Sequence, residues 1–337
     1  MRTAGDGMGA MTRREFLTVT MAMTVSPGLD AAAAQTEFPR RKLGRTGETV
    51  SALGLGGAHI GTQQDERESI RIIRAAIDGG ITFLDNCWDY NGGQSEIRMG
   101  KALRDGYRRK VFLMSKIDGR DRATAAAQID ESLRRLQTDQ LDLMQLHEVI
   151  RDSDPGRAFA AGGAMEALVA ARKAGKIRYI GFTGHKSPDI HLGMLRAADQ
   201  NGFAFDTVQM PLNVLDAHHD SFEKKVLPVL LQKGIGVLGM KPLGDGLVLE
   251  SKAATAAECL RYAMSLPVSV TITGIDSSKV LQQDLALART FTPMGHAEVE
   301  ALLARTAPAA QRGRWEKYKT THEFDGTHEH PEWMGRA

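Results

Sequence analysis

"FLDNCWDYNGGQSEIRMGKAL" occupies residues 83–103. Its apolar start ends on Asp85, Tyr90 follows five residues later, and Gly92-Gly93 turns the chain. Ser95-Glu96 then opens a segment of helical character. A strand that passes through a short loop into a helix is one unit of a βα repeat. An acid and a phenol at such a junction raise a chemical question. Tyr90 is read as a proton donor, and Asp85 as a group that helps set its acidity.

The pattern continues on both sides. Apolar runs of strand length recur at 51–57, 81–86, 110–116, 141–147, 177–183, 205–210, 235–240 and 268–273. Most are apolar throughout, as expected of strands covered on both faces. Helical stripes fill the gaps, such as Ile129, Leu133, Leu136 and Phe222, Val226, Leu227, Leu230, Leu231. Ser187-Pro188 suits a helix start, and Gly79-Gly80 suits a helix end. Eight alternations predict a single-domain α/β protein, a (β/α)8 TIM barrel. An open doubly wound sheet fits less well. Its Gly-x-Gly-x-x-Gly follows no early strand, and Gly54-Leu55-Gly56-Gly57 lacks the third glycine.

In a barrel of this kind the reactive groups gather where strands end. Three successive ends carry Asp85, Lys116 and His147, with Trp88 and Tyr90 in the loop after the first. A net charge of +2 offers no field for nucleic acid, and no apolar run is long enough to span a bilayer. Cys87 and Cys259 cannot build a disulfide framework and read as small buried hydrophobes. No metal cluster is expected.

Two terminal segments stand apart from the barrel, which is assigned to residues 35–310. Residues 1–34 begin with a basic stretch holding Arg13-Arg14, pass through a weakly apolar middle and reach Ala32-Ala33-Ala34. That order reads as an export signal cleaved after Ala34, and the arginine pair resembles a bacterial twin-arginine address. A periplasmic protein handled by the twin-arginine export machinery is the expectation. Residues 311–337 form a polar tail carrying Trp315 and Trp333, expected to pack on or near the barrel.

These motifs together resemble the aldo-keto reductase family. Asp85, Tyr90, Gly93 and Ser95-Glu96 match one motif, and Lys116 and His147 match the next two strand ends. The opening "RRKLGRTGETVSALGLGG" (40–57), "GFTGH" (181–185) and "GMKPLGDG" (239–246) are similar to the family as well. The resemblance spans residues 40–288. It implies a carbonyl oxidoreductase using NADP(H) or NAD(H), with Tyr90 as general acid and base. Lys116 would lower the phenol's pKa, Asp85 would hold Lys116, and His147 would orient the carbonyl oxygen.

By the same resemblance the nicotinamide lies against Thr183, Gln209 and Met240, with Lys241, Pro242 and Leu243 following. Gly274, Ser278, Lys279, Gln283 and Asp284 are assigned to the rest of the nucleotide. Family members often place a basic residue where Val280 stands and an asparagine where Asp284 stands. Both departures weaken a strict NADP preference. Trp88 and His185 are expected to shape the site for a small carbonyl or sugar substrate. Two other activities fit the same residues: an epimerase with a retained nucleotide, or a nucleotide-binding module with little turnover.

Overall fold

The computed structural model describes residues 37–336. The expected signal segment and its cleavage point lie outside the described residues.

Ten strands are present among these residues. A two-stranded antiparallel hairpin pairs β1 (Arg40–Lys42) with β2 (Thr49–Ser51). The remaining eight form a closed parallel barrel. In chain order they are β3 (Leu53–Gly56), β4 (Phe83–Asp85), β5 (Phe112–Ile117) and β6 (Leu141–Leu146). They continue as β7 (Ile177–Thr183), β8 (Thr207–Pro211), β9 (Gly236–Met240) and β10 (Val270–Gly274). Each pairs with its sequence neighbour, and β10 closes on β3. This is the (β/α)8 barrel expected from the sequence.

One expected strand is divided. Residues 51–57 were predicted as a single strand, but Ser51 belongs to the hairpin and Gly57–His59 forms a 3-10 turn. Ser51 and Thr82 exchange backbone-to-side-chain hydrogen bonds at 2.9 Å, and Ser51 Oγ also donates to Leu53 O. These bonds turn the chain from hairpin into barrel. The hairpin region plugs the barrel floor. Leu43 and Val50 pack with Phe83, Phe112, Met114, Leu143 and Leu238 in one interior cluster.

Side chains alternate along a strand, so residues two apart share a face. Phe83 faces the interior, and so Asp85 does too. The same step carries Phe112 and Met114 to Lys116, Leu143 through Gln145 to His147, and Leu238 to Met240. Apolar residues fill the lower barrel and polar ones emerge at the carboxyl ends. The intervening residues, such as Leu84, Leu113, Met144, Ile180 and Val208, pack outward against the helical layer.

Residues 311–336 cross the same end of the barrel. Tyr318 and Glu316 are buried there, and Tyr318 Oη accepts from Asn213 Nδ2 at 2.9 Å. Lys319 pairs with buried Asp216 at 2.6 Å, so Asp216 serves as an anchor for this segment. Cys87 and Cys259 are both buried free thiols.

Candidate active site

Four residues predicted from separate strand ends and one loop meet in the structure. Lys116 Nζ is fully buried and forms an ion pair with Asp85 Oδ1. It also donates to Asn86 O at 2.8 Å and to Tyr90 Oη at 3.1 Å. Asp85 Oδ2 accepts from Gln209 Nε2 at 3.0 Å. The His147 ring sits edge-on to Tyr90, with centroids 5.8 Å apart.

The Tyr90 loop has its own scaffold. Asn91, Gly92 and Gly93 all adopt left-handed backbone angles, with φ of 55°, 62° and 83°. Three such residues in a row are tolerable because two are glycine. Gly93 has a second constraint: a Cβ there would lie 2.4 Å from the Arg135 guanidinium. That guanidinium donates to Trp88 O at 2.6 Å and pairs with Glu96 and Glu131. Ser95 Oγ donates to Gly57 O at 2.7 Å, and buried Glu96 accepts from Ser115 Oγ. The Ser-Glu part of the motif therefore fastens the loop to β5, while Asp85 and Tyr90 face the cleft.

One expected electrostatic effect is reversed. Lys116 was predicted to draw the Tyr90 phenol below its ordinary pKa. Burial instead pushes that phenol well above its ordinary value, helped by the carboxylates of Asp85, Asp89 and Glu148. The Lys116 ammonium is already matched by Asp85, so little of its field remains for the phenol. Tyr90 is consequently a fully protonated donor.

A cleft of about 360 Å³ starts at Asp85, Tyr90 and Gln209 and runs past Met240–Leu243 to Gly274 and Val280. Thr183 is buried beside it, with its hydroxyl 3.8 Å from Met240 Sδ. Lys241 lines the cleft with φ of +53°, its ammonium over the rings of Phe324 and Tyr318 at 5.1 and 5.7 Å. Burial lowers its pKa. Gln209 Oε1 is buried with no hydrogen-bond partner. An open acceptor next to Thr183 suits a carboxamide, which carries both a donor and an acceptor. The residues present therefore fit a nicotinamide at this end.

The far end of the cleft is lined by Gly274, Asp276 and Val280. The other residues assigned to the nucleotide, Ser278, Lys279, Gln283 and Asp284, stand on the helix that carries Val280. Ser278 Oγ donates to Glu68, and Lys279 and Gln283 are exposed. Asp284 accepts from Thr273 Oγ1 at 3.2 Å, and burial raises its carboxyl to about 6. The helix Ser278–Arg289 is capped by Ser277, and positions 279 and 283 share its outer face.

Trp88 and His185 also have partners. Trp88 Nε1 donates to Glu131 at 2.7 Å, and its ring meets Trp333 edge-on at 5.9 Å. His185 Nε2 donates to Asp325 Oδ1 at 2.8 Å. Burial lowers the His185 pKa, while His185 and Lys186 hold the Asp325 carboxyl below its usual range. The neutral imidazole therefore donates a hydrogen bond and Lys186 supplies the balancing charge. His185 thereby anchors the C-terminal segment.

Sequence reasoning missed several site residues. Gly56, Gly57, Ala58 and His59 line the cleft after β3. Asp118 stands two residues beyond Lys116 and accepts from His147 Nδ1 at 2.9 Å. Extending the β5 alternation one step further would have found it. Asp89, adjacent to Tyr90, lies 3.6 Å from the same nitrogen.

Comparison with known proteins shows the family of the chain. The sequence model described as the aldo/keto reductase family matches residues 52–259, and the chain belongs to that family. L-galactose dehydrogenase of Arabidopsis thaliana is 28% identical over 313 residues, covering 80% of this chain and 95% of that protein. The oxidoreductase YrpG of Bacillus subtilis (strain 168) is 30% identical over 237 residues, covering 63% and 70%. The aldo-keto reductase AKR11C1 from Bacillus halodurans, in its holo form, superposes with a TM-score of 0.67 at 24% identity. That match covers 80% of this chain and 96% of the other, and it supports the fold alone. The chain is thus an NAD(P)-dependent oxidoreductase.

Proposed function

We propose that this chain reduces a small aldehyde, ketone or keto-sugar, or oxidises the matching alcohol, with Tyr90 as the acid and base. The observation that carries this reading is Tyr90 Oη, 3.1 Å from a buried ammonium and lining the cleft. Gln209, Thr183 and Met240 would hold a reduced nicotinamide, which would supply hydride to the carbonyl carbon when bound. Tyr90 Oη gives its proton to the carbonyl oxygen as negative charge grows there. Lys116 then faces the phenolate that remains, and Asp85 with Asn86 O holds the ammonium in place. Solvent returns the proton to Tyr90, and oxidation runs these steps backwards.

Cofactor preference follows from the far end of the cleft. Among the described residues, Lys241 is the only lysine or arginine lining it, and Asp276 stands beside Val280. A 2′-phosphate needs a cation, so NADH is expected to serve better than NADPH. The purified mature protein should consume nicotinamide absorbance when given a panel of aldehydes, ketones and keto-sugars. No carbonyl-dependent consumption with either nucleotide sinks the reading, and a strong NADPH preference sinks the cofactor assignment. Action in the periplasm rests on Arg13-Arg14 and the apolar stretch behind it. Fractionation of cells carrying Arg13→Lys and Arg14→Lys tests that part.

A further inference from the structure

Two acids flank the same ring nitrogen of the active-site histidine. His147 Nδ1 lies 2.9 Å from Asp118 Oδ1 and 3.6 Å from Asp89 Oδ1. The Asp118 side chain is fully buried. No lysine or arginine side chain bonds its carboxylate among the described residues. The nearby Arg120 guanidinium bonds the main-chain oxygens of Asp118, His147 and Glu148 and the carboxylate of Asp154 instead. Burying a carboxylate without a cationic partner is costly, and an imidazolium is the cation within reach. His147 Nε2 makes no hydrogen bond among the described residues.

We propose that Asp118 is a positioning residue that keeps a proton on His147 Nδ1. The ring is then an imidazolium whose Nε2–H is a second donor to the substrate oxygen, beside the Tyr90 hydroxyl. This rests on the carbonyl-reduction reading above. Atoms balance simply: the carbonyl carbon gains hydride, its oxygen gains the Tyr90 proton, and His147 keeps its own. A cationic donor stabilises the developing oxyanion more than a neutral one. It adds to the stabilisation that Lys116 gives the phenolate left on Tyr90.

The charged surroundings of His147 are consistent. Burial lowers its proton affinity, but Asp89 and Asp118, with a smaller contribution from Glu148, outweigh it and bring its pKa to about 9. Asp89 itself is raised to about 6, chiefly by burial and by Asp118. The Cys87 thiol on the same loop is pushed well up and stays neutral. From β5, Lys116 is committed to Asp85, and from β6 the following Glu148 binds the C-terminal segment.

Nitrogen-15 NMR of the histidine rings tests the proposal without substrate. The signals absent in His147→Asn identify the residue. Wild-type His147 is expected to titrate near pH 9, and Asp118→Asn should lower its proton affinity by about 10- to 1000-fold. Asp118→Glu should restore part of the shift, and Asp89→Asn should move it less. An unchanged His147 titration in Asp118→Asn overturns the proposal. Kinetics give a second readout. The alkaline fall in carbonyl reduction should move to lower pH in Asp118→Asn; a uniform loss with that fall unmoved also overturns it. Absence of turnover with the titration as expected counts against carbonyl reduction and not against the dyad. The side-chain atoms of Cys87, Asp89, Asp118 and His147 lie within 4.8 Å of one another, so elemental analysis is the control. A stoichiometric metal ion there would overturn the assignment too.

Discussion

Tyr90 carries the chemistry, and its neighbours decide how. The phenol has an ammonium at 3.1 Å but a raised pKa, because burial disfavours the phenolate and the Asp85 carboxylate adds to that. Removal of the hydroxyl in Tyr90→Phe should cut turnover by about 10²- to 10⁴-fold while nucleotide affinity barely changes. Titration of released nucleotide and a single-turnover assay measure the two effects separately. Unchanged turnover would remove Tyr90 from its role. A pH effect on stability belongs to this scale as well. His147 has its pKa raised from 6.5 to about 9, so its protonation stabilises the fold in full below pH 6.5. That contribution disappears as pH rises through 9. Glu148, next in the chain, takes φ of 46°, a conformation costing about 1–3 kcal/mol for a residue with a Cβ. Its carboxylate accepts from Gly326 N, Thr327 N and Thr327 Oγ1, which offsets the strain.

Strand ends position the reactive groups only because their loops are tied together. Arg120 is the main tie: it is buried, and it joins the loop after β5 to the loop after β6 through Asp118 O, His147 O, Glu148 O and Asp154. Its own backbone N–H donates to Met334 O, which brings in the C-terminal segment. Arg120→Met removes the nearer cation from buried Asp154 and leaves it only the Arg151 guanidinium at 3.9 Å. Loss of a partner from a buried pair costs about 3–5 kcal/mol, so the denaturation midpoint should fall sharply. Equilibrium unfolding in urea checks this; a midpoint within error of wild type would show that the tie is redundant. The hairpin β1–β2 acts at the opposite end, filling the barrel floor with Leu43 and Val50 so that the interior needs no further plug.

Across the whole molecule, the C-terminal segment closes one side of the barrel mouth. Asp325 is its main fastening: it accepts from His185 Nε2 and His322 Nδ1 and pairs with Lys186. Its carboxyl pKa is depressed, so this contribution is present above the ordinary value of 3.8 and is lost as pH falls through the folded-state value. Asp325→Asn should loosen residues 316–334 while leaving the barrel strands intact. Amide hydrogen exchange should show faster exchange in the tail alone, together with a change in KM for bulky carbonyl substrates. Equal exchange in wild type and variant would mean that Lys319 with Asp216, and Glu148 with Thr327, suffice to hold the segment.

The hairpin before the barrel was not legible in the sequence, while the eight barrel strands, the barrel class and the four groups Asp85, Tyr90, Lys116 and His147 were. Each depends on local order: a period of two along strands and a polar residue where an apolar run stops. The C-terminal anchoring of His185, the Asp118 partner of His147 and the outward phase of Lys279 and Gln283 came from tertiary structure. So did the direction of the Tyr90 shift. These depend on which charges stand within a few ångströms after folding, and on how much water the fold removes around them. Neither quantity follows from distance along the chain, since Asp325 reaches His185 across 140 residues.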